Sequence, residues 1–202
     1  MANRTGVGRS IAPDPQNREA NDFYSTPPEA VRALLSVERF HGTTILEPAC
    51  GTGNISKVLE VAGYKVVSSD LIDRGYGTGG VDFLKSKKAY PNVVTNPPFK
   101  RAQEFIEHAL VLTEPYKGMV AMFLKLTFLE SVKRGPVLDT FTPRALYPFM
   151  DRVTTLRGGL AESGGGGGMV AFGWFVWDHR WRGTMMIPRR LNSSDFVEKA
   201  KL

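Results

Sequence analysis

The stretch Thr43–Asp70 reads TTILEPACGTGNISKVLEVAGYKVVSSD and decides the fold. Its first five residues are mostly β-branched or apolar, and they predict a short buried strand. A glycine-containing turn follows, and apolar residues then recur at helical spacing from Asn54 to Ala62. Gly63 ends this helix, and residues 65–70 predict a second strand that finishes with a carboxylate. A strand, a helix and a strand in this order form a βαβ unit, which requires a parallel sheet.

The same alternation continues along the chain. Residues 92–96 predict a strand that Pro97 and Pro98 interrupt, residues 102–112 a helix, and residues 118–124 a fully buried strand. The sequence therefore predicts an α/β fold.

The regions before and after this core differ from it in composition. Residues 1–20 are rich in Arg, Asn, Pro and Asp and predict a mobile arm, either a solvated tail or one that touches phosphate. Thr26 followed by two prolines predicts a helix start with Thr26 as its cap. We expect a single domain over residues 21–190 and a C-terminal tail over residues 191–202.

The last third of the domain is less regular. Residues 127–168 predict an irregular insert, with a broken helix and loop up to residue 150, a strand over 152–156 and a five-glycine run over 164–168. The aromatic segment 169–177 predicts a further strand, so an antiparallel hairpin at the sheet edge is expected. The glycine-rich loop is interpreted either as a linker or as a flap over substrate.

Composition narrows the class of protein. The chain has 202 residues and a formal net charge of +6, which fits a polyanionic partner and fits solubility equally well. One Cys and three dispersed His residues exclude an intrachain disulfide and a cysteine-cluster zinc site, and no metal site is predicted. No apolar run reaches the about 18 residues of a membrane span, so we expect a cytoplasmic protein without a membrane partner.

The turn Glu47–Gly53 has the form of a nucleoside-binding loop. Glycines after a strand bring backbone N–H groups close to a ligand, and the turn lacks the spacing of pyrophosphate-binding loops. Asp70 ends the next strand, where a carboxylate can accept hydrogen bonds from both ribose hydroxyls.

Asn96-Pro97-Pro98-Phe99 follows the next strand along the chain. Two prolines fix the backbone, the Asn side chain adds an acceptor and Phe99 adds an aromatic face, so this set can bind a flat amine. An ordinary proline turn is the alternative interpretation.

Three segments together resemble the S-adenosylmethionine-dependent amino-methyltransferases, and most closely the small N6-adenine DNA methyltransferases of phages and prophages. The segments are Asp22–Pro27 (DFYSTP), Ile45–Gly53 (ILEPACGTG) and Asn96–Phe99 (NPPF), and the likeness covers about residues 20–180. The resemblance implies a Rossmann-like class I methyltransferase fold with a mostly parallel seven-stranded sheet and an antiparallel edge hairpin. It also implies transfer of a methyl group to the N6 amine of adenine in DNA, with S-adenosyl-L-homocysteine as the second product, in a bacterial or phage-infected cell.

The resemblance implies a role for each matching residue. The catalytic set is Asn96, Pro97, Pro98 and Phe99. The cofactor set, which also includes Asn96, places Tyr24 and Thr26 at the methionine end, Glu47, Pro48, Cys50 and Gly51 around the sulfonium and amino group, Asp70 on the ribose, and Leu71, Asp82 and Phe83 at the adenine.

Other substrates stay open. The same site could act on RNA adenine or on a protein glutamine, although Phe rather than Tyr at position 99 weakly disfavours glutamine, or the chain could be a cofactor-binding nucleic-acid module without turnover. No separate target-recognition domain fits, so sequence reading would come from residues 127–168, the arm, a partner subunit or a homodimer. Several residues could touch the substrate: the cations Lys125, Lys133, Arg134, Arg144, Arg152 and Arg157, and, with core packing as the favoured alternative, Trp174 and Trp177.

Overall fold

The computed structural model describes residues 24–130, 135–151, 153, 156–157 and 170–197. The predicted arm over residues 1–20 and the five-glycine run lie outside these described residues.

Two sheets are present in the described part of the chain. A small antiparallel sheet pairs β1 (Tyr24–Ser25) with β7 (Leu156–Arg157). The large sheet has the order β3-β2-β4-β5-β8-β6-β9. Its strands are β2 (Thr44–Glu47), β3 (Lys65–Ser68), β4 (Asn92–Thr95), β5 (Met119–Lys125), β6 (Ala145–Pro148), β8 (Phe172–Asp178) and β9 (Ile187–Pro188).

The predicted parallel core is confirmed. Strands β3, β2, β4 and β5 are parallel neighbours, with Ile45 opposite Val66 and Asn92 opposite Met119. Parallel pairing brings the carboxyl ends of these four strands to one edge of the sheet. In open α/β sheets this edge is where ligands bind.

Helices cover both faces of the sheet. They are α1 (Pro28–Val37), α2 (Asn54–Val61), α3 (Ala102–Thr113) and the short α4 (Gly135–Thr140). Alternate residues of β5 explain the two layers, because Phe123 packs in the core that contains α1 and α2, whereas Met122 packs in the core that contains α3. All but the last residue of β5 are buried, as expected for a strand covered on both faces.

The predicted helix cap at Thr26 is wrong. Pro27 occupies the cap position of α1 and makes no side-chain cap hydrogen bond. A cap side chain accepts a hydrogen bond from the N–H of the second or third helical residue. If Thr26 were the cap, Pro28 would be the second helical residue, and proline has no N–H to donate. Thr26 is instead 2% exposed, and its Oγ1 has no hydrogen-bond partner among the described residues.

The antiparallel hairpin is present, but its first strand lies elsewhere in the chain. Strand β8 pairs antiparallel with β6, at 145–148, inside the stretch that the sequence predicts to be a broken helix and loop. This short strand follows Pro143 and ends at Pro148, two prolines that mark a loop in the sequence, although Ala145, Leu146 and Tyr147 are buried. Of the predicted strand 152–156, the described Leu156 belongs to β7.

Two aromatic residues suggested for the substrate side belong to the core. Trp174 is fully buried and its Nε1 donates to the carbonyl oxygen of Ala30 at 2.9 Å, and Trp177 is 3% exposed. Core packing, the alternative that the sequence favoured for both, is therefore correct.

The start of the predicted C-terminal tail packs on the domain. Leu191 is 5% exposed, and Arg32 donates from Nη1 to the carbonyl oxygen of Phe196 at 3.1 Å. No helix in the described ranges is long and apolar enough to cross a membrane.

Candidate functional site

A cleft opens at the carboxyl edge of the sheet, where the four parallel strands end. Glu47 is the last residue of β2, Asp70 follows β3 and Asn96 follows β4. The walls of the cleft include all residues of the predicted cofactor set: Tyr24, Thr26, Glu47, Pro48, Cys50, Gly51, Asp70, Leu71, Asp82, Phe83 and Asn96.

The glycine turn holds the Asp70 carboxylate in place. The backbone N–H of Gly51 donates to Asp70 Oδ2 at 2.9 Å, and that of Ile72 donates to Oδ1 at 3.0 Å. Gly51 and Gly53 both have positive φ, 54° and 84°, a conformation that favours glycine. A carboxylate oxygen has more than one acceptor site, so Asp70 can still bind two hydroxyl groups while the turn fixes its orientation.

The loop after Asp70 folds back over the glycine turn, a contact that the sequence analysis missed. A Cβ atom on Gly53 would lie 2.5 Å from the ring of Tyr76, so Gly53 also provides the space in which this ring packs. The Tyr76 hydroxyl donates to Glu60 at 3.1 Å, and the Cys50 thiol lies 3.3 Å from the Tyr76 carbonyl oxygen. No sequence signal links residue 76 to residue 53.

This loop adds a cation to the cleft. Arg74 lies two residues before Tyr76, is half-buried and lines the same cavity as Thr26 and Asn54. Among the described residues that line this cavity, Arg74 is the cationic one, whereas Glu47 and Asp70 are acidic. Sequence reasoning did not single out Arg74, because its position depends on the folding back of the loop.

Glu47 is the most deeply buried acid of the cleft, with 1% exposure. The Ser56 hydroxyl donates to Glu47 Oε2, and Ser56 in turn lies 2.7 Å from the Ser68 hydroxyl. Burial raises the pKa of Glu47 well above its ordinary value, and the negative charge of Asp70 raises it further. The site therefore favours a positively charged group beside Glu47, because such a group would offset the cost of ionising it.

Cys50 is held as a neutral thiol. Burial, together with the charges of Glu47 and Asp70, raises the pKa of Cys50 to about 12. A thiolate nucleophile is therefore disfavoured at this position.

Asn96 is oriented with its acceptor atom uncommitted. Its Nδ2 donates to the backbone carbonyl oxygen of Tyr24 at 2.7 Å. Its Oδ1 is buried and has no hydrogen-bond partner within the described ranges. Since a buried carbonyl oxygen without a partner costs free energy, Asn96 presents an acceptor that a bound donor can satisfy.

Phe99 lies in an aromatic group beside Asn96. Its ring stacks on that of Tyr24 at a centroid distance of 5.4 Å and a 23° interplanar angle, and it tilts against Phe172 at 5.9 Å. The ammonium of Lys125 lies 4.2 Å from the Phe99 ring centroid. The structure thus brings Tyr24 beside Asn96 and Phe99, although 72 positions separate Tyr24 from Asn96 in the chain.

The remaining predicted residues line an apolar extension of the cleft. Leu71 is exposed, whereas Phe83 is 3% exposed and packs against Phe105 at 4.9 Å. Asp82 Oδ1 accepts from the backbone N–H of Leu84 at 3.2 Å, which fixes the carboxylate at the start of a 3-10 turn. Arg101 also lines this extension, beside Pro98.

One cation suggested for phosphate contact is committed elsewhere. Arg144 pairs with Glu38 at the opposite edge of the sheet, so the interpretation of Arg144 as a phosphate ligand is wrong. Lys133, Arg134 and Arg152 lie outside the described residues, as does the side chain of Arg157. In the ranges that are described, no group of His, Cys, Asp and Glu residues could hold a metal ion.

Comparisons with known proteins give a likeness in fold. No protein-family model and no curated protein sequence matches the chain. Among solved structures, the methyltransferase subunit of a type I restriction-modification system from Streptococcus thermophilus is similar with a TM-score of 0.62 and 12% identity, over 91% of this chain and 50% of that one. The M protein of the type I restriction enzyme EcoKI is similar with a TM-score of 0.53 and 14% identity, over 84% of this chain and 48% of that one.

A smaller protein has the same fold. A candidate RNA methyltransferase from Pyrococcus horikoshii is similar with a TM-score of 0.55 and 13% identity, over 78% of this chain and 88% of that one. This chain spans about half the length of the two restriction-system subunits. The comparisons and the strand order together show that the chain has the Rossmann-like fold of the class I methyltransferases.

Proposed function

We propose that this protein transfers a methyl group from S-adenosylmethionine to the exocyclic N6 amine of adenine in DNA. The observation that carries the proposal is the buried Oδ1 of Asn96, which has no hydrogen-bond partner among the described residues and lies at one end of a cleft that also holds Glu47 and Asp70. The Tyr24 carbonyl oxygen fixes the Asn96 side chain by accepting from its Nδ2. A hydrogen-bond donor such as an exocyclic amine would satisfy this acceptor.

The chemistry of the cleft fits S-adenosylmethionine. Asp70 would accept from the ribose hydroxyls, and the buried carboxylate of Glu47 would face the positive charges of the sulfonium and the amino group. The buried hydroxyl of Thr26, without a hydrogen-bond partner in the described ranges, and the Arg74 cation would bind the single anionic group of the cofactor, its carboxylate. Pro48, Leu71, Asp82 and Phe83 would surround the adenine, and Cys50 and Gly51 would pack beneath the sulfur.

S-adenosylmethionine supplies an electrophilic methyl group when it is bound, so the protein has to prepare the amine. The lone pair of an exocyclic amine is delocalised into the adenine ring, which makes the nitrogen a poor nucleophile. A hydrogen bond from the N6 amine to Asn96 Oδ1, aided by the backbone at Pro97, draws the nitrogen towards tetrahedral geometry. Catalysis then consists of positioning, and no protein nucleophile is needed, in keeping with the neutral Cys50 thiol.

Phe99 supports nucleic acid as the substrate. A ring beside the Asn96 acceptor can stack on an adenine that has been flipped out of a duplex or presented by a single strand. A partner subunit or a second copy of the chain would contribute to reading of the target sequence.

The proposal is tested by labelling. The protein is incubated with tritiated S-adenosylmethionine and, separately, with double-stranded DNA, single-stranded DNA, RNA and a glutamine-containing protein extract, and the labelled product is digested and identified. Label in N6-methyladenine from DNA is the expected result. Label in RNA or in glutamine would show that the substrate is different, while the methyl-transfer chemistry stays as proposed. Cofactor binding without label in any acceptor would instead favour a non-catalytic binding module.

A further inference from the structure

Two adjacent arginines follow the last strand of the large sheet. Arg189 and Arg190, the arginine pair, come directly after β9, and both are exposed. Within the described ranges, neither guanidinium takes part in a hydrogen bond or an ion pair. The carboxylates of Asp151 and Asp195, in the segments that follow β6 and β9, accept hydrogen bonds from residues 192–194. The positive charge of the arginine pair therefore faces solvent.

The strand directions place the arginine pair at the same edge of the sheet as the cleft. Strand β8 is antiparallel to both β5 and β6, and β9 is parallel to β6, so β9 runs in the direction of β5. The end of β9 therefore lies at the carboxyl edge. Backbone pairing with β6 continues beyond β9. The N–H of Arg189 donates to the carbonyl oxygen of Leu146 at 2.9 Å, and that of Leu191 donates to Pro148 at 2.9 Å. The backbone that carries the pair is thus fixed to the sheet.

The register also gives the height of the pair relative to the NPPF motif. One row of paired residues crosses the sheet from β4 to β9, and it consists of Thr95, Met122, Phe175, Leu146 and Pro188. The residues that follow this row on its first and last strands are Asn96 and Arg189. Neighbouring strands lie about 4.8 Å apart, so four steps separate the backbones of Asn96 and Arg189 by about 19 Å.

This separation fits a DNA duplex that continues along the carboxyl edge from an adenine bound at Asn96. Each strand of a duplex carries one phosphate for about 3.4 Å of helix axis, so about 19 Å corresponds to about six base pairs. The planar guanidinium of arginine matches the geometry of two phosphate oxygens. A phosphate at that distance would give the arginine pair the anionic partner that the described part of the chain does not supply.

The same segment carries a second pair of exposed arginines, but at the opposite edge. Arg180 and Arg182 follow β8, whose end lies at the amino edge of the sheet. Arg180 donates from Nε to the carbonyl oxygen of Lys117 at 3.2 Å, and Arg182 donates from Nη1 to that of His179 at 2.7 Å. The two pairs carry equal charge and differ in their distance from the cleft, so they form a matched comparison.

We propose that Arg189 and Arg190 bind backbone phosphates of the DNA duplex about six base pairs from the methylated adenine. This inference rests on the proposed function and adds to it a surface that holds the duplex outside the cleft. Phosphate contacts carry no sequence information, so this surface sets the affinity for the duplex and its orientation, and it does not select the target sequence.

The test compares two double variants that each remove two positive charges. Binding of a fluorescent DNA duplex is measured over a range of salt concentrations, with S-adenosyl-L-homocysteine present. We expect Arg189→Gln with Arg190→Gln to weaken binding about tenfold at low salt and to reduce the slope of log K against log[salt] by about 1.8, or about 0.9 for each phosphate contact. Arg180→Gln with Arg182→Gln should change neither quantity, and Arg189→Lys with Arg190→Lys should keep the slope. Equal losses in the two glutamine variants would show an effect of net charge alone and would overturn the proposed surface.

A second measurement locates the contact on the duplex. After the methylated adenine has been mapped, the duplex is shortened to about three base pairs on one side of it, and then on the other. Shortening on one side should weaken binding of the wild type but not of the variant with Arg189→Gln and Arg190→Gln, because that variant has already lost the contact. The melting temperature and the affinity for S-adenosyl-L-homocysteine should match those of the wild type.

The outcomes separate this surface from the proposed function. If the wild type methylates DNA while the variant with Arg189→Gln and Arg190→Gln keeps its affinity and salt slope, the arginine pair does not bind phosphate. The same losses seen with RNA alone would overturn DNA as the partner. Failure of the wild type to bind any nucleic acid would overturn both this surface and the proposed function.

Discussion

The two edges of the large sheet each bury a group of polar side chains, but the groups are organised differently. At the amino edge of the parallel strands, Glu38 accepts from the Arg144 guanidinium and from the Tyr147 hydroxyl, the latter at 2.5 Å. Asp178 lies 3.9 Å from Arg144 Nε and 3.1 Å from His41 Nε2. Each carboxylate there faces the Arg144 cation, although Arg144 Nε and Asn92 Oδ1 have no hydrogen-bond partner among the described residues.

At the carboxyl edge, like charges and unpartnered acceptors are close together. Glu47 and Asp70 line one cavity, and the buried oxygens Thr26 Oγ1 and Asn96 Oδ1 have no hydrogen-bond partner in the described part of the chain. Folding alone disfavours such an arrangement, because buried polar atoms without partners cost free energy. Since buried atoms without a hydrogen bond occur at both edges of the described part, the difference lies in the carboxylates: those of the amino edge pair with Arg144, whereas burial and the charge of Asp70 raise the pKa of Glu47. This difference favours a positively charged ligand at the carboxyl edge.

The two asparagines that flank β4 give the strongest test of this comparison. Asn96→Ala removes the unpartnered acceptor and should lower the methyl-transfer rate about 100- to 1000-fold, the typical effect of losing one such group. The affinity for S-adenosyl-L-homocysteine should stay within a few-fold, as measured by calorimetry.

The matched control for Asn96→Ala lies at the other end of the same strand. Asn92 donates from Nδ2 to the carbonyl oxygens of His41 and Thr44, at 2.6 and 3.0 Å, and its Oδ1, like that of Asn96, has no hydrogen-bond partner in the described ranges. It differs from Asn96 in its place, because Asn96 lines the cleft and Asn92 does not. Asn92→Ala should lower the melting temperature and leave the rate per folded molecule unchanged. An Asn96→Ala variant with wild-type turnover would end the assignment of Asn96 to catalysis.

Removing a charge from the amino edge should affect stability alone. Glu38→Gln removes the carboxylate that accepts from Arg144 and leaves Asp178, at 3.9 Å, as the remaining counter-charge, so the free energy of unfolding should fall by about 2 kcal/mol in chemical denaturation. A double-mutant cycle with Arg144→Met should show strong coupling between the two positions. If folded Glu38→Gln protein lost methyl transfer, the amino edge would also take part in the reaction, contrary to the comparison drawn above.

Neutralising Glu47 should have the opposite effect on stability. Burial raises the pKa of Glu47 above its ordinary 4.5 in the folded protein, so this group stabilises the fold at low pH and loses that contribution as pH rises through the folded pKa. Glu47→Gln should therefore raise the free energy of unfolding of the cofactor-free protein at pH 8, on the order of 1 kcal/mol, and should match the wild type near pH 4. The same variant should bind S-adenosylmethionine about tenfold more weakly. A Glu47→Gln protein that is less stable than the wild type at pH 8 would contradict the assigned effect of Glu47 on stability.

The smallest expected effect concerns Arg74. If Arg74 binds the cofactor carboxylate, Arg74→Gln should weaken S-adenosyl-L-homocysteine about fivefold, or about 1 kcal/mol. Methylthioadenosine lacks the carboxylate and should bind both proteins equally. Equal losses for the two ligands would show that Arg74 acts on the nucleoside or on the loop instead.

Local patterns predicted the parallel core well, because each of its elements has its own periodicity. The strands over 44–47, 65–68 and 92–95 and the helix α2 all lie where the apolar spacing predicts them. Strand β6 was missed because it is four residues long, follows Pro143 closely and ends at Pro148. The cap at Thr26 was misplaced because a local rule ignored the missing N–H of Pro28.

By itself, the sequence determined the fold class and the types of residue at the strand ends. The apolar periodicity, and the glycines and prolines that end strands and helices, each depend on a few neighbouring residues. Tertiary structure alone decided that Tyr76 packs on Gly53, that Arg144 pairs with Glu38 and that Lys125 lies on Phe99. These contacts join residues 23 to 106 positions apart, and strand order and loop packing fix them. For the same reason, the sequence spacing predicted the acidic and amide groups of the cleft, but it could not show which of them has no hydrogen-bond partner among the described residues.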